Sequence, residues 1–359
     1  MNSDAFLRFI SPSHLYFAAT IIASMTVIIV MMIYVFLYVK KRRFRIKARV
    51  EIMLNEWISD ALTEGELAEL SMPEDIANYL KKPVIRQFII DTLININKNV
   101  TGSIAANIIK LYLTLELKED SIRKLRSGVW HKRARGIYEL YMMRQASELQ
   151  DILEYTNSKN EFVRMEAQTA IIGLSGFNGL VFLDTLSYPL YEWQQIKLLE
   201  QLNTMDPGNL NRLPLWLTSE NNYVVHFALK LAEIYQQFQV HDNVVSCLGS
   251  DIEKIRGQAV KTLGSIAMED TIQILKRQYD EETITNKKII LEQFVVHGSD
   301  EDLEFLNARM EEVDDSLKLE AARAIAAISD KAFSDLEYFN SGDGIILSII
   351  KQVKYENVA

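Results

Sequence analysis

One cysteine in 359 residues, Cys247, excludes an intramolecular disulfide and any metal site built from several thiolates. It sits in Val244-Val245-Ser246-Cys247-Leu248, the setting of a small buried apolar side chain, and such sparing use suits a reducing compartment. Proline is scarce as well, with six in the whole chain, and no low-complexity linker divides the sequence. Strand signals are missing: alternating apolar runs are few, and no Asn-Gly or Asp-Gly turn joins two of them. Catalytic signatures are missing too. Ser341-Gly342-Asp343-Gly344 lacks the Lys-Ser/Thr of a phosphate-binding loop, and His-Glu-x-x-His does not occur. His14, His131, His226, His241 and His297 are widely scattered, and no carboxylate spacing turns them into a metal site. His241-Asp242 reads as a helix start, where an acid suits the first turn. No metal, cofactor or small-molecule substrate is expected.

Charge is absent from Phe9 to Val39. About 20 apolar residues suffice to span a bilayer, so residues 15–39 are expected to form one transmembrane helix after a short non-cytoplasmic stretch, 1–14. Tyr16, Tyr34 and Tyr38 lie near its two ends, where amphipathic rings favour the headgroup level. A cleaved secretory signal would carry its basic residues before a shorter apolar core. Here they follow it, as Lys40, Lys41, Arg42, Arg43, Arg45, Lys47 and Arg49, against only Asp4 and Arg8 on the other flank. Such a collar stays on the cytoplasmic side, which predicts a single-pass protein with its C-terminal body in the cytoplasm, as at a bacterial inner membrane. Ala19 and Ala23 are small-xxx-small in spacing, as is common in membrane helices.

The remainder is acidic. Removing the eight basic residues and the one acid, Asp4, found among residues 1–49 leaves 31 basic against 47 acidic, a net charge of −16. No basic stripe of the size that nucleic acid needs is present, so no nucleic-acid partner is expected. One segment departs from this background. Arg123, Lys124, Arg126, Lys132, Arg133 and Arg135 surround Trp130 with no acid among them, a candidate patch for anionic lipid or an acidic partner. The opposing reading is a solvated helix face with ordinary charge pairing. Trp57, Trp193 and Trp216 are expected in the core.

Apolar residues recur at spacings of three and four, broken every 12–18 residues by polar turns, so the body is expected to be all-α. A pattern repeats within it, clearest in Phe162–Leu174, Ile255–Ile266 and Leu317–Ile328. Each copy places a small residue at its centre with apolar residues four before and four after, one helical face. With weaker copies the centres run Ala134, Ala167, Ile196, Ala228, Ala259, Ile289 and Ala321, a period near 31. Ser127, Asn160, Asn221 and Asp314 fall seven residues earlier, where an oxygen can cap a helix. Shorter amphipathic segments such as 149–155, 179–187, 271–279 and 302–310 lie between the copies. Two antiparallel helices per unit, stacked on neighbours, make an α-solenoid.

The Val-Arg-x-x-Ala-x-x-x-Ile/Leu pattern at this period resembles HEAT repeats, particularly the shorter bacterial kind also seen in phycobilisome-lyase-like proteins. The resemblance covers about residues 118–356 as roughly eight units, with irregular capping helices over 73–117 and a basic juxtamembrane region with a connecting helix over 40–72. The basic position is Arg164, Arg256 and Lys318 in the clear copies, but His131 and Val225 in two others. Such repeats speak for architecture and hardly for activity. The expectation is a non-enzymatic, membrane-anchored cytoplasmic scaffold that binds a protein component of a membrane enzyme, export or signalling complex. The alternatives are a repeat-built enzyme of the bilin-lyase-like type, or a regulator binding anionic lipid through its basic patch.

Overall fold

A computed structural model describes residues 12–63, 74–205, 207–340 and 342–358. Among the described residues every regular element is helical, and there is no strand. The chain divides into two compact units, Met1–Lys124 with Met142–Arg144, and Leu125–Tyr141 with Gln145–Ala359. The extreme N-terminal stretch holding Asp4 and Arg8, and residues 64–73 with Gly65 and Pro73, lie outside the described residues.

The first unit begins with α1, Pro12–Thr63, a single unbroken helix of 52 residues and about 78 Å at a rise of 1.5 Å per residue. Sequence reading divides this stretch between an apolar helix and a basic connecting region. Nothing breaks it, because residues 40–57 contain no Gly or Pro and the basic side chains are good helix formers. Every side chain from Leu15 to Arg45 is exposed. Ile46, Lys47 and Ala48 are half-buried, and Val50, Leu54 and Trp57 are fully buried, spaced by four and three so that they share one face. That part of α1 packs on α2 (Glu74–Leu80) and α3 (Pro83–Asn97). Helix α3 starts on Pro83, whose fixed φ and missing N–H suit the first helical position. Its buried Ile85, Ile89, Ile90, Leu93 and Ile94 form the centre of this unit, against α4 (Gly102–Thr114). Tyr112 is buried and donates to Ser121 Oγ at 2.9 Å, at the start of α5 (Lys118–Leu125).

The second unit alternates short and long helices. The long ones are α6 (Trp130–Met142), α8 (Glu161–Ser175), α9 (Glu192–Leu202), α11 (Asn222–Ile234), α13 (Glu253–Ser265), α15 (Ile284–His297), α17 (Asp315–Ile328) and α19 (Gly344–Val358). Between them lie α7 (Leu149–Leu153), a 3₁₀ stretch Gly176–Asp184, α10 (Leu213–Leu217), α12 (His241–Ser246), α14 (Thr271–Tyr279), α16 (Leu303–Arg309) and α18 (Asp330–Phe339). Each of α8, α11, α13, α15, α17 and α19 packs on the short helix before it. The long helices also form a layer of their own, α8 on α9, α11 on α13, and then α13, α15, α17 and α19 in succession.

The repeat has a sharper register than the sequence pattern suggests. The seventh residues of the long helices are Gly136, Ala167, Leu198, Ala228, Ala259, Ile290, Ala321 and Ile350, and all are buried. Their spacings are 31, 31, 30, 31, 31, 31 and 29. Three of the sequence-derived centres are therefore corrected. Ala134 is half-buried, Ile196 is exposed, and Ile289 is half-buried, so Gly136, Leu198 and Ile290 take their places. Side-chain size does not mark the position: Leu198, Ile290 and Ile350 occupy the same buried place as the alanines of the clear copies.

Hydrogen bonds repeat at the same interval and tie each unit to the next. In the long-helix layer Thr262 Oγ1 donates to Leu229 O at 3.1 Å, Asn286 Nδ2 to Glu253 O at 3.1 Å and Gln201 Nε2 to Thr169 O at 3.2 Å. His297 Nε2 lies 2.7 Å from Gly264 O. In the short-helix layer His241 Nε2 lies 3.1 Å from Thr271 Oγ1, and Arg309 donates to Asp280 at 2.9 Å. Each of these pairs is separated by 29 to 33 residues in sequence. Contacts between neighbouring units, repeated at one interval along the chain, are what defines a helical-repeat solenoid. The N-termini are satisfied as the residue types suggest. Asn160, Asn221, Thr283 and Asp314 each accept a backbone N–H of the first turn, while Ser127 accepts from Val129 N just before α6 begins.

Candidate interaction surfaces

The seven residues of the basic segment do not act as one free patch. In the first unit Arg123 donates to Asp120 Oδ1 at 2.9 Å, and Lys124 is half-buried. In the second unit Arg126 reaches Asp151 Oδ2 at 3.0 Å, and Arg135 reaches Glu139 Oε1 at 3.0 Å one helical turn away. Glu139 is fully buried, which makes Arg135 its neutralising partner. Arg133 lies over the Tyr155 ring at 4.8 Å, while Lys132 is exposed. Of the juxtamembrane collar, Lys40, Lys41, Arg42, Arg43, Arg45 and Arg49 are exposed along α1, and Lys47 sits 5.3 Å from the Phe88 ring.

The corrected register explains Arg133. It is the fourth residue of its long helix, as are Arg164, Arg256, Lys287 and Lys318. The basic position in that copy is therefore Arg133 and not His131. The side chain clamps the turn before its own helix and reaches the following unit. Arg164 donates to Ser158 O at 2.7 Å and covers the Tyr188 ring; Arg256 donates to Ser250 O at 2.9 Å and to Glu282 Oε1 at 2.8 Å. Burial alone would raise the Glu282 carboxyl, but hydrogen bonds from Arg256, Asn286 and Gln278 hold it below its ordinary value. These arginines are structural rungs.

What the sequence pattern concealed is a row of exposed apolar side chains at the starts of successive long helices. Trp130, Phe162, Tyr191, Trp193, Tyr223, Ile252 and Ile284 all lie within two residues of a helix start and are exposed. The rings touch in pairs. Trp130 stacks on Phe162 at 5.3 Å, and Tyr191 meets Tyr223 edge-on at 5.9 Å. Trp193 is thus not a core residue, being 49% exposed, whereas Trp57 and Trp216 are buried. The signal was available in outline: Phe162, Trp193 and Tyr223 each occupy the second residue of their helix, a position that faces away from the buried seventh.

Beside this row, between α9, α11, α13 and α15, lies a groove of about 660 Å³. His226, Lys230, Lys254, Gln258 and Lys261 line it, with Glu192 at its margin. Lys254 pairs with Glu192 at 2.5 Å across α11. Among the described residues Lys230 and Lys261, the ninth residues of α11 and α13, form no ion pair, although Lys230 helps to lower the Glu192 carboxyl from within the groove. The imidazole of His226 is pushed down to about 4, first by burial and then by Lys230, Lys254 and Lys261, partly opposed by Glu192. Its Nδ1 lies 3.1 Å from Gln195 Oε1. Among the described residues no group of three or more His, Cys, Asp or Glu side chains is placed to hold a metal ion.

No family model matches the chain, and no curated protein matches it in sequence. Solved structures do resemble it at low identity. A designed armadillo repeat protein is 16% identical, covers 58% of this chain and 99% of its own, and has a TM-score of 0.32. The complex of CpcE and CpcF of phycocyanin lyase from Nostoc sp. PCC7120 is 11% identical over 80% of this chain and 97% of its own, with a TM-score of 0.27. The karyopherin Kap121p is 15% identical over 82% of this chain and 34% of its own, with a TM-score of 0.33. The solenoid assignment rests on the internal repeat of contacts described above.

Proposed function

We propose that this protein is a membrane-anchored scaffold whose helical-repeat body binds a protein partner, acting by contact and not by chemistry. The observation that carries the binding part is the exposed row of large apolar side chains on the long-helix layer, from Trp130 to Ile284. Aromatic residues of this kind dominate binding energy at protein interfaces, and a soluble surface does not gather them without use. The tether is supported by α1. It is long and apolar enough to cross a bilayer, is exposed throughout its apolar part, and runs without a break into the part packed on α2 and α3. The basic collar at Lys40–Arg49 then lies at the cytoplasmic interface. Tethering confines the body to the partner's own membrane and raises its effective concentration there.

Two measurements test this. Alkaline carbonate washing of membranes should leave the full chain in the pellet, and a variant lacking residues 12–39 should move to the supernatant. Affinity purification of the detergent-solubilised full chain should recover a partner in stoichiometric amount, and Trp193→Ala with Tyr223→Ala should lose it. A full chain that washes off would overturn the anchor; recovery indifferent to Trp193 and Tyr223 would overturn the surface.

A further inference from the structure

We infer that the groove beside the aromatic row receives an extended, carboxylate-bearing segment of the partner protein, whose apolar side chains rest on Tyr191, Trp193 and Tyr223 while its carboxylates meet Lys230 and Lys261. This rests on the protein-binding reading above and specifies the chemistry of what is bound.

Charge is the first support. The body carries a net charge of −16 over residues 50–359, yet the groove lining holds three lysines against Glu192 and Glu253. Glu192 is already paired with Lys254, and Glu253 accepts the Thr283 hydroxyl at 2.6 Å. Three lysines against two carboxylates leave the lining with a net charge of +1, and Lys230 and Lys261 are its ammonium groups outside an ion pair. They come from the same position of adjacent helices, so they repeat with the solenoid. His226, half-buried in the same lining, is neutral at physiological pH and adds no competing charge. Repulsion by the distant acids of the body fades beyond a Debye length, about 8 Å at physiological salt, so the local pair decides what enters the groove.

Spacing is the second support. Adjacent packed helices lie roughly 8–10 Å apart, and an extended chain advances about 3.3 Å per residue. Carboxylates two residues apart share one edge of an extended segment, about 6.6 Å from each other, a separation that the flexible side chains of Lys230 and Lys261 span. Within one helix, the second residue and the ninth are separated by about 10 Å of rise. Side chains that point to opposite edges of an extended segment can then meet the aromatic row on one side and the lysines on the other. Gly257 offers no deeper pocket, because the Asn286 side chain already packs against its Cα. The ligand is held along the surface and not swallowed.

The test uses the full chain in detergent as bait for a displayed library of random dodecapeptides, selected in parallel against a Lys230→Glu, Lys261→Glu double variant. The native chain should enrich peptides with Asp or Glu at a spacing of two, with an aromatic or branched apolar residue between or beside them. The double variant should lose those by at least tenfold in affinity and enrich Lys or Arg in their place. Lys230→Gln with Lys261→Gln, which adds no new charge, should give an intermediate loss. No enrichment, or enrichment without carboxylates, would overturn the inference. So would a selected peptide whose binding is displaced as readily by anionic vesicles or heparin, which would make the groove a general anion surface. Photo-crosslinking of the partner at Ile196 separates the two levels. If adducts persist in the double variant while the peptides show no preference for carboxylates, the scaffold stands and the acidic ligand falls.

Discussion

The single thiol is the simplest place to check the core. Cys247 is buried at 7% exposure, with its pKa pushed up to about 11 by burial, and its Sγ lies near Leu217 O of the preceding unit. Both effects remove thiolate and access together. Iodoacetamide at pH 8 should leave the folded chain unlabelled for hours and modify it within minutes in denaturant. His226 makes a pH prediction of definite sign. Its folded value of about 4 lies below the ordinary 6.5. It contributes stability in full above 6.5, and that contribution is lost as pH falls through about 4, because the unfolded chain binds the proton first. A His226→Gln variant should therefore show a flatter denaturation midpoint between pH 6.5 and 4 than the native chain. Gly179 makes a packing prediction. A Cβ there would lie 2.8 Å from Ile171 O, a backbone atom that cannot swing away. Gly179→Ala should cost about 1–3 kcal/mol in urea melts.

At the scale of elements, α1 joins two different environments within one helix. Its apolar part is exposed on all sides, whereas Val50, Leu54 and Trp57 use a single face. Leu54→Ala removes a side chain with no exposure and should destabilise the first unit by about 2–5 kcal/mol, without altering membrane retention. That separation of effects is measured by comparing thermal melts with carbonate extraction. Helices were legible where residue type and backbone need agree. Asn160, Asn221 and Asp314 announce caps, and Thr271–Tyr279 follows from its own amphipathic pattern. The register was less legible. Three weaker copies were displaced by one or two positions, because Leu198 and Ile290 fill the buried place that alanine holds in the clear copies and several apolar residues lie close together there. The interaction surface was the least legible part. An arginine cluster in sequence looks like a patch until its carboxylate partners are placed: Asp120 and Glu139 lie one helical turn away, just outside the segment, and Asp151 comes from α7. Conversely, Phe162, Trp193 and Tyr223 sit 31 and 30 residues apart, and only the stacking of units brings them into one row.

For the whole molecule, the regular 31-residue interval implies that stability is close to a sum of units and their shared interfaces. Deleting Glu253–Thr283 removes one complete period and joins Ile252 to Ile284 in the same helical phase. The product should remain folded, with circular dichroism reduced in proportion to its length and a lower denaturation midpoint. Deleting half that number of residues should unfold the unit, because every seventh-position side chain beyond the cut would leave the core. Function is carried at this scale too, since the groove and the aromatic row exist only as a register of side chains across several units. On the proposed reading a partner docks on that row at the membrane. Its most direct test is a photoreactive residue introduced at Ile196, beside the row, and separately at Val313, a fully exposed turn position between α16 and α17. Irradiated membranes should give one stoichiometric adduct from the Ile196 probe and none from the Val313 probe. Adducts of equal yield from both positions, or from neither, would contradict it.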